Sequence, residues 1–149
     1  MEKGVYCLVL ANVPARVRIG ALGTRSFEGG WHVYAGSALG PGGLARVTRH
    51  IAFSRERPRT RRWHIDYLMG DPSFSLTTVI CGATLQRLEC ELARGLPGEP
   101  VPGFGCSDCR CNSHLFYFPT DPVPGILRHM RSLSLEPVIT TINTMEGQS

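Results

Sequence analysis

Residues 31–50, WHVYAGSALGPGGLARVTRH, contain a change of periodicity. Trp31 to Gly36 is rich in aromatic and β-branched side chains, which suit a pleated, half-buried strand. Pro41-Gly42-Gly43 then breaks the chain. From Leu44 to Phe53, Leu44, Val47 and Ile51 recur at helical spacing while Arg46, Arg49 and His50 are polar, the pattern of an amphipathic helix. A strand that turns sharply into a helix is the unit from which the remaining chain is read.

Upstream, Gly4 to Asn12 (GVYCLVLAN) reads as a mostly buried strand stopped by Pro14. Val17 and Ile19 alternate with Arg16, Arg18 and Gly20, which predicts a half-exposed strand and, with its neighbours, an antiparallel meander of three. Downstream, Ser54 to Arg62 (SRERPRTRR) has no apolar residue and is expected to be an exposed basic loop. Trp63 to Leu68 returns to buried character, and Ser75 to Cys81 reads as a strand. A second helix is predicted from about Thr84, with Leu85, Leu88, Leu92 and Leu96 on one stripe. After a Pro/Gly loop and a cysteine-rich stretch come the strand Leu115 to Phe118 and a last helix over Gly125 to Leu133. The fold class is therefore α/β in the α+β sense, with a small, mainly antiparallel central sheet flanked by helices. One domain is expected over 1–133, followed by a tail, 134–149, only partly ordered.

The 149 residues are 42% hydrophobic, enough for a core without a disulfide framework. No apolar run approaches the ~18 residues that a membrane span needs. Nothing in Met1 to Leu10 has the layout of a signal peptide, so six cysteines point to a reducing, cytoplasmic setting. Sixteen basic residues against twelve acidic give +4. Lys3 is the sole lysine, a bias that codon usage explains better than phosphate binding does. Only local clustering carries weight, and it is there: from Arg46 through Arg62 lie seven arginines and one acid, Glu56. A loop bearing Arg55, Arg57, Arg59, Arg61 and Arg62, beside Arg49 on the helix, would track a phosphate backbone without reading bases.

Gly4-Val5-Tyr6 on the first strand, Tyr34-Ala35-Gly36 on a later strand, Arg46 and His50 on the next helix, and Glu89 on the helix after it resemble the signature of the GIY-YIG nuclease superfamily. Over roughly the first 120 residues the likeness is closer to an uncharacterised GIY-YIG-like branch that occurs alone or fused to endonuclease III-type repair domains. It is carried by YAGSALGPGGLARVTRH, WHIDYL and GFGCSDCRCNSHLFYF. The chain departs from better-studied members in a longer segment between the two tyrosine motifs and in its cysteine-rich loop.

The resemblance implies a metal-dependent endonuclease acting on DNA, directed to a structure or lesion in repair. Glu89 would hold Mg2+ or Mn2+, and one hard oxygen ligand suffices because magnesium keeps several waters and takes the substrate phosphate as a further ligand. Arg46 would grip the phosphoryl oxygens with its two-pronged donor. Tyr6 would activate or position water, with Tyr34 beside it. A phenol titrates near ~10, so His50, ordinarily near ~6.5 and one helical turn from Arg46, is an alternative base. Taken one at a time, these residues are ordinary: tyrosines pack in sheets, and arginine, histidine and glutamate cover solvated helix faces. Their joint order is what favours a site.

Other candidates to line the site are His32, which shares a strand face with Tyr34, and Gly36, Ser37, His64, Asp66, Asp108 and His114. His64 and Asp66 share a face only in an extended segment, and a structural role anchoring the basic loop is the favoured reading. Cys106, Cys109, Cys111 and His114 offer four soft ligands within nine residues. Zinc is the alternative there to a structural reading, because ordinary zinc sites use two knuckles further apart. Cys7, Cys81 and Cys90 read as core. Two other functions compete: a non-catalytic nucleic-acid-binding module and an RNA nuclease.

Overall fold

The computed structural model describes residues 2–40, 42–105 and 113–142. Strand β1 (Gly4–Asn12) is the buried run GVYCLVLAN, and it lies inside a six-stranded sheet of order β6-β7-β4-β1-β5-β8. Its neighbours are β4 (Gly30–Ala38) and β5 (Phe74–Ala83), and the sheet is completed by β6 (Glu99–Pro100), β7 (Leu115–Phe118) and β8 (Pro137–Thr141). Every pairing in it is antiparallel. With both faces of β1 covered, its apolar residues need not alternate with polar ones.

Two hydrophobic clusters form on the two faces. Tyr6, Leu8 and Leu10 of β1 enter one cluster with Val47, Ile65, Leu68 and Phe104. Here α1 (Ala45–Glu56) and α2 (His64–Met69) cover the sheet. Val5, Cys7 and Val9 point the other way, into a cluster with Leu92, Ala93, Ile126 and Met130 from α3 (Glu89–Gly95) and α4 (Val123–Ser132). Helices on both sides of one antiparallel sheet match the α+β expectation. No helix among the described residues is long and apolar enough to cross a membrane.

The predicted meander of three is not what forms. Among the described residues β2 (Ala15–Arg18) pairs only with β3 (Thr24–Phe27), in a separate hairpin, and β4 pairs directly with β1. Val17, Ile19 and Phe27 are buried, so this hairpin caps the first cluster instead of extending the sheet. The basic loop is also shorter than expected, since α1 runs on through Ser54, Arg55 and Glu56. It stops because Pro58 disfavours a helical residue before it: Arg57 adopts a left-handed conformation, φ 47°, and its N–H closes the helix on the Phe53 carbonyl.

α3 begins five residues later than the leucine stripe suggests. The Thr84 hydroxyl accepts the Gln86 N–H, a local turn that competes with helix, and Leu85 is 82% exposed. Part of the expected tail is ordered: β8 pairs with β5 from Thr78 to Gly82 and forms one edge of the sheet.

Candidate functional site

The register of β1 on β4 places Tyr6 opposite Gly36 and Leu8 opposite Tyr34, so the two tyrosines are diagonal neighbours on one face. The Tyr6 ring lies across Gly36. A Cβ added there would stand 2.5 Å from the Tyr6 Cζ and 2.6 Å from its hydroxyl oxygen, so only glycine leaves room for the phenol. Helix α1 then brings two side chains one turn apart down onto this spot. Arg46 donates from Nη1 to the Ser37 carbonyl at 3.1 Å, and the His50 Nε2 lies 3.0 Å from the Tyr6 hydroxyl.

Tyr6, Tyr34, Gly36, Ser37, Arg46, Arg62, Trp63, His64, Glu89, Gly105 and His114 line one cleft of about 260 Å³. Glu89 is the first residue of α3, on the opposite face of the sheet, and its side chain is about one-third exposed. The His114 ring donates from Nδ1 to the Ala35 carbonyl at 3.1 Å and lies 3.7 Å from the Glu89 Oε2, an ion pair whenever His114 is protonated. His64 accepts the Gly105 N–H at Nδ1, 2.9 Å, which leaves its proton on Nε2 when the ring is neutral. Burial and Arg25 push the His64 pKa down, so neutral is its ordinary state.

Burial dominates the electrostatics. It raises the Tyr6 pKa to about 12, although the Arg46 guanidinium, acting through charge and as a donor, pulls it back. Tyr34 is raised too, by burial first and then by Tyr6 and Glu89. His50 is lowered to about 4 by burial and by the charges of Arg46 and Arg49. Arg46 carries only donors, so it acts on the Tyr6 oxygen as a cation and as a donor alone. In the neutral His50 tautomer that carries its proton on Nδ1, the phenol donates to Nε2.

The site thus unites Tyr6, Tyr34, Arg46, Glu89, Gly36, Ser37, His64 and His114. His50 stands behind Tyr6 and Trp63 and does not itself line the cleft. Asp66 is not in the cleft: it caps α2, its Oδ2 accepting the N–H groups of Arg62 at 2.8 Å and Trp63 at 3.0 Å. His32 lies outside too. It is buried beside Phe27, Phe74 and Tyr117 and bonded to the Asn12 side chain at 2.8 Å, two residues too far along β4 to reach the cleft. Of the arginines, Arg62 lines the cleft and Arg49 stands over Trp63. Arg57 is tied to the Phe74 carbonyl, Arg61 to the Pro58 carbonyl and the Phe53 ring, and Arg55 and Arg59 are exposed. Asp108, Cys106, Cys109 and Cys111 fall outside the described residues.

Trp63 escaped the sequence reading as a site residue. Its signal was an aromatic directly after a run of arginines, and the structure puts the guanidiniums of Arg46, Arg49 and Arg62 at 5.4, 5.2 and 5.9 Å from its ring centroid. Among the described residues no group of three or more His, Cys, Asp or Glu is placed to hold a metal ion. Of the cleft's groups, Glu89 is the carboxylate that could hold a hard cation that keeps most of its waters. A family model described as "Domain of unknown function DUF123" matches residues 5–135. No curated protein and no solved structure matches the chain.

Proposed function

The chain belongs to the DUF123 family, and we propose that it is a GIY-YIG-type endonuclease that hydrolyses phosphodiester bonds in DNA with one divalent metal ion. The observation that carries this reading is the convergence of Tyr6, Tyr34, Arg46 and Glu89, from β1, β4, α1 and α3, on one polar cleft. A structure- or lesion-directed role in DNA repair rests on the likeness to the branch fused with endonuclease III-type domains. Its setting would be the reducing cytoplasm.

Mg2+ or Mn2+ held by Glu89 would polarise the scissile phosphate and offset charge on the departing oxygen. Arg46, anchored at Ser37, presents its remaining donors to the phosphoryl oxygens, where charge accumulates in the transition state. Tyr6 works as a neutral phenol. With its pKa near 12, forming tyrosinate at pH 7.5 costs ~6 kcal/mol, too much for a resident base in the free protein. With its proton committed to His50, the Tyr6 oxygen can accept a hydrogen bond from the attacking water and aim it. His50 is consequently a positioning residue, and its low pKa keeps it in the neutral form that this task needs.

End-labelled single-stranded, duplex, flap, branched and abasic DNA, with RNA alongside, incubated with Mg2+, Mn2+ or EDTA, tests the reading. Metal-dependent cleavage lost in Arg46→Ala and Glu89→Ala, with both variants folded, is expected. Salt-sensitive binding without cleavage in either metal would leave a binding module, and cleavage of RNA alone would make it an RNA nuclease.

A further inference from the structure

Beside the cleft lies a second cavity of about 330 Å³, walled by Ala52, Phe53, Pro58, Thr60 and the inner ring of His50, with Glu56 and Asp66 also on its lining. Trp63 and Arg62 line both cavities, so the indole is the partition between them. The two rooms differ in chemistry. On the cleft side stand Arg46, Glu89 and two phenols; on the other, aliphatic and aromatic carbon predominates. We propose that this second cavity receives one unpaired nucleobase, stacked against Trp63, while the phosphate of the same strand lies in the cleft. The substrate class is then a strand that is unpaired next to the scissile phosphate. This rests on the nucleic-acid reading of the cleft.

Three features support it. First, three guanidiniums converge on one indole within 5.9 Å, and among the described residues none of the three is in an ion pair. Asp66 spends Oδ2 on two backbone N–H groups. Like charges gathered in this way repel one another, and a polyanion threading past them relieves the repulsion. Second, Trp63 is restrained at both ends: its backbone N–H is held by Asp66 at the N-cap of α2, and its indole packs against the His50 ring, centroids 5.9 Å apart. A fixed indole is a stacking platform that loses little freedom on binding. Third, a paired base has both faces covered by its neighbours and its edge by its partner, so only an unpaired base can enter a pocket of this size.

Binding is read on the protein carrying Glu89→Ala, in EDTA, with a short DNA strand containing one 2-aminopurine, either single-stranded or fully paired. The single strand is expected to bind more tightly than the duplex, with its fluorescence quenched by stacking. Trp63→Ala should weaken single-strand binding by roughly 5- to 150-fold and abolish the quench, and Trp63→Phe should restore most of both. Because Trp63 also packs on His50, a second variant guards against a folding artefact: Ala52→Trp fills the second cavity from α1 and changes no residue that lines the cleft. It should lose the quench and the preference for the single strand. Equal affinity for both forms without quenching, or Ala52→Trp behaving as the parent, would overturn the base pocket while leaving the nuclease reading intact. Failure to bind either form would overturn both.

Discussion

Replacing Gly36 by alanine is expected to expel the Tyr6 ring from its seat, and the geometry sets the size of the effect. The new methyl group would stand 2.5 Å from the Tyr6 Cζ, where carbon atoms prefer ~3.5 Å or more, so the ring must retreat by about 1 Å. The backbone has little room to yield, since β4 is paired with β1 on one side and Ala35 donates to the His114 carbonyl on the other. Gly36 is not in a positive-φ conformation, so the cost is steric and not a matter of backbone strain. Overpacking of this kind costs ~1–3 kcal/mol, and the retreating hydroxyl also gives up His50. Denaturant unfolding at neutral pH, in the wild type and in a Tyr6→Leu background, reads the effect. Alanine at 36 should cost about 1–3 kcal/mol in the first and be nearly neutral in the second, where the ring that it strikes is gone. An equal cost in both backgrounds would refute the contact between Tyr6 and Gly36 as the reason for glycine.

His50 and His32 are both held near pKa 4, below their unfolded value of ~6.5, so the unfolded chain binds protons first and stability falls as pH drops from about 6.5 toward 4. From pH 7 to pH 5 each should cost about 2 kcal/mol, and His50→Gln should remove half of that slope in urea titrations. Asp66→Ala should cost about 0.5–2 kcal/mol as a lost cap and should alter Trp63 fluorescence, because the same carboxylate fixes the Trp63 N–H. The logarithm of DNA affinity should fall with log salt, and Arg62→Ala should shallow the slope by ~0.7–0.9, one phosphate contact.

The main sheet was readable wherever burial coincided with β-branched and aromatic composition. β1 and β7 begin and end where Gly4 to Asn12 and Leu115 to Phe118 predict. Pairing was less visible. Nothing local in Val17 and Ile19 distinguishes a third sheet strand from a hairpin that caps the core, because both bury the same side chains. The helical stripe at Leu85 misled because a single hydroxyl, Thr84, diverts the chain before a helix can form. Around the cleft, i+4 spacing correctly put Arg46 and His50 on one helix face, yet it could not say that Tyr6 would stand between His50 and the cleft. His32 failed as a lining residue for a similar reason: a shared sheet face extends further than a site does. Trp63 shows the converse, since a partition is made by tertiary neighbours that spacing alone does not name, whereas the Asp66 cap is local, to N–H groups three and four residues before it.

The most direct test of the central claim is a single-turnover cleavage rate on end-labelled DNA, measured against Mg2+ or Mn2+ concentration for the wild type and for Glu89→Gln, with binding followed in parallel. A saturable metal dependence in the wild type, and its loss in Glu89→Gln while DNA is still bound, is the expected result. A rate that survives EDTA, or one that Glu89→Gln leaves untouched, would contradict a metal-dependent cleft built on Glu89.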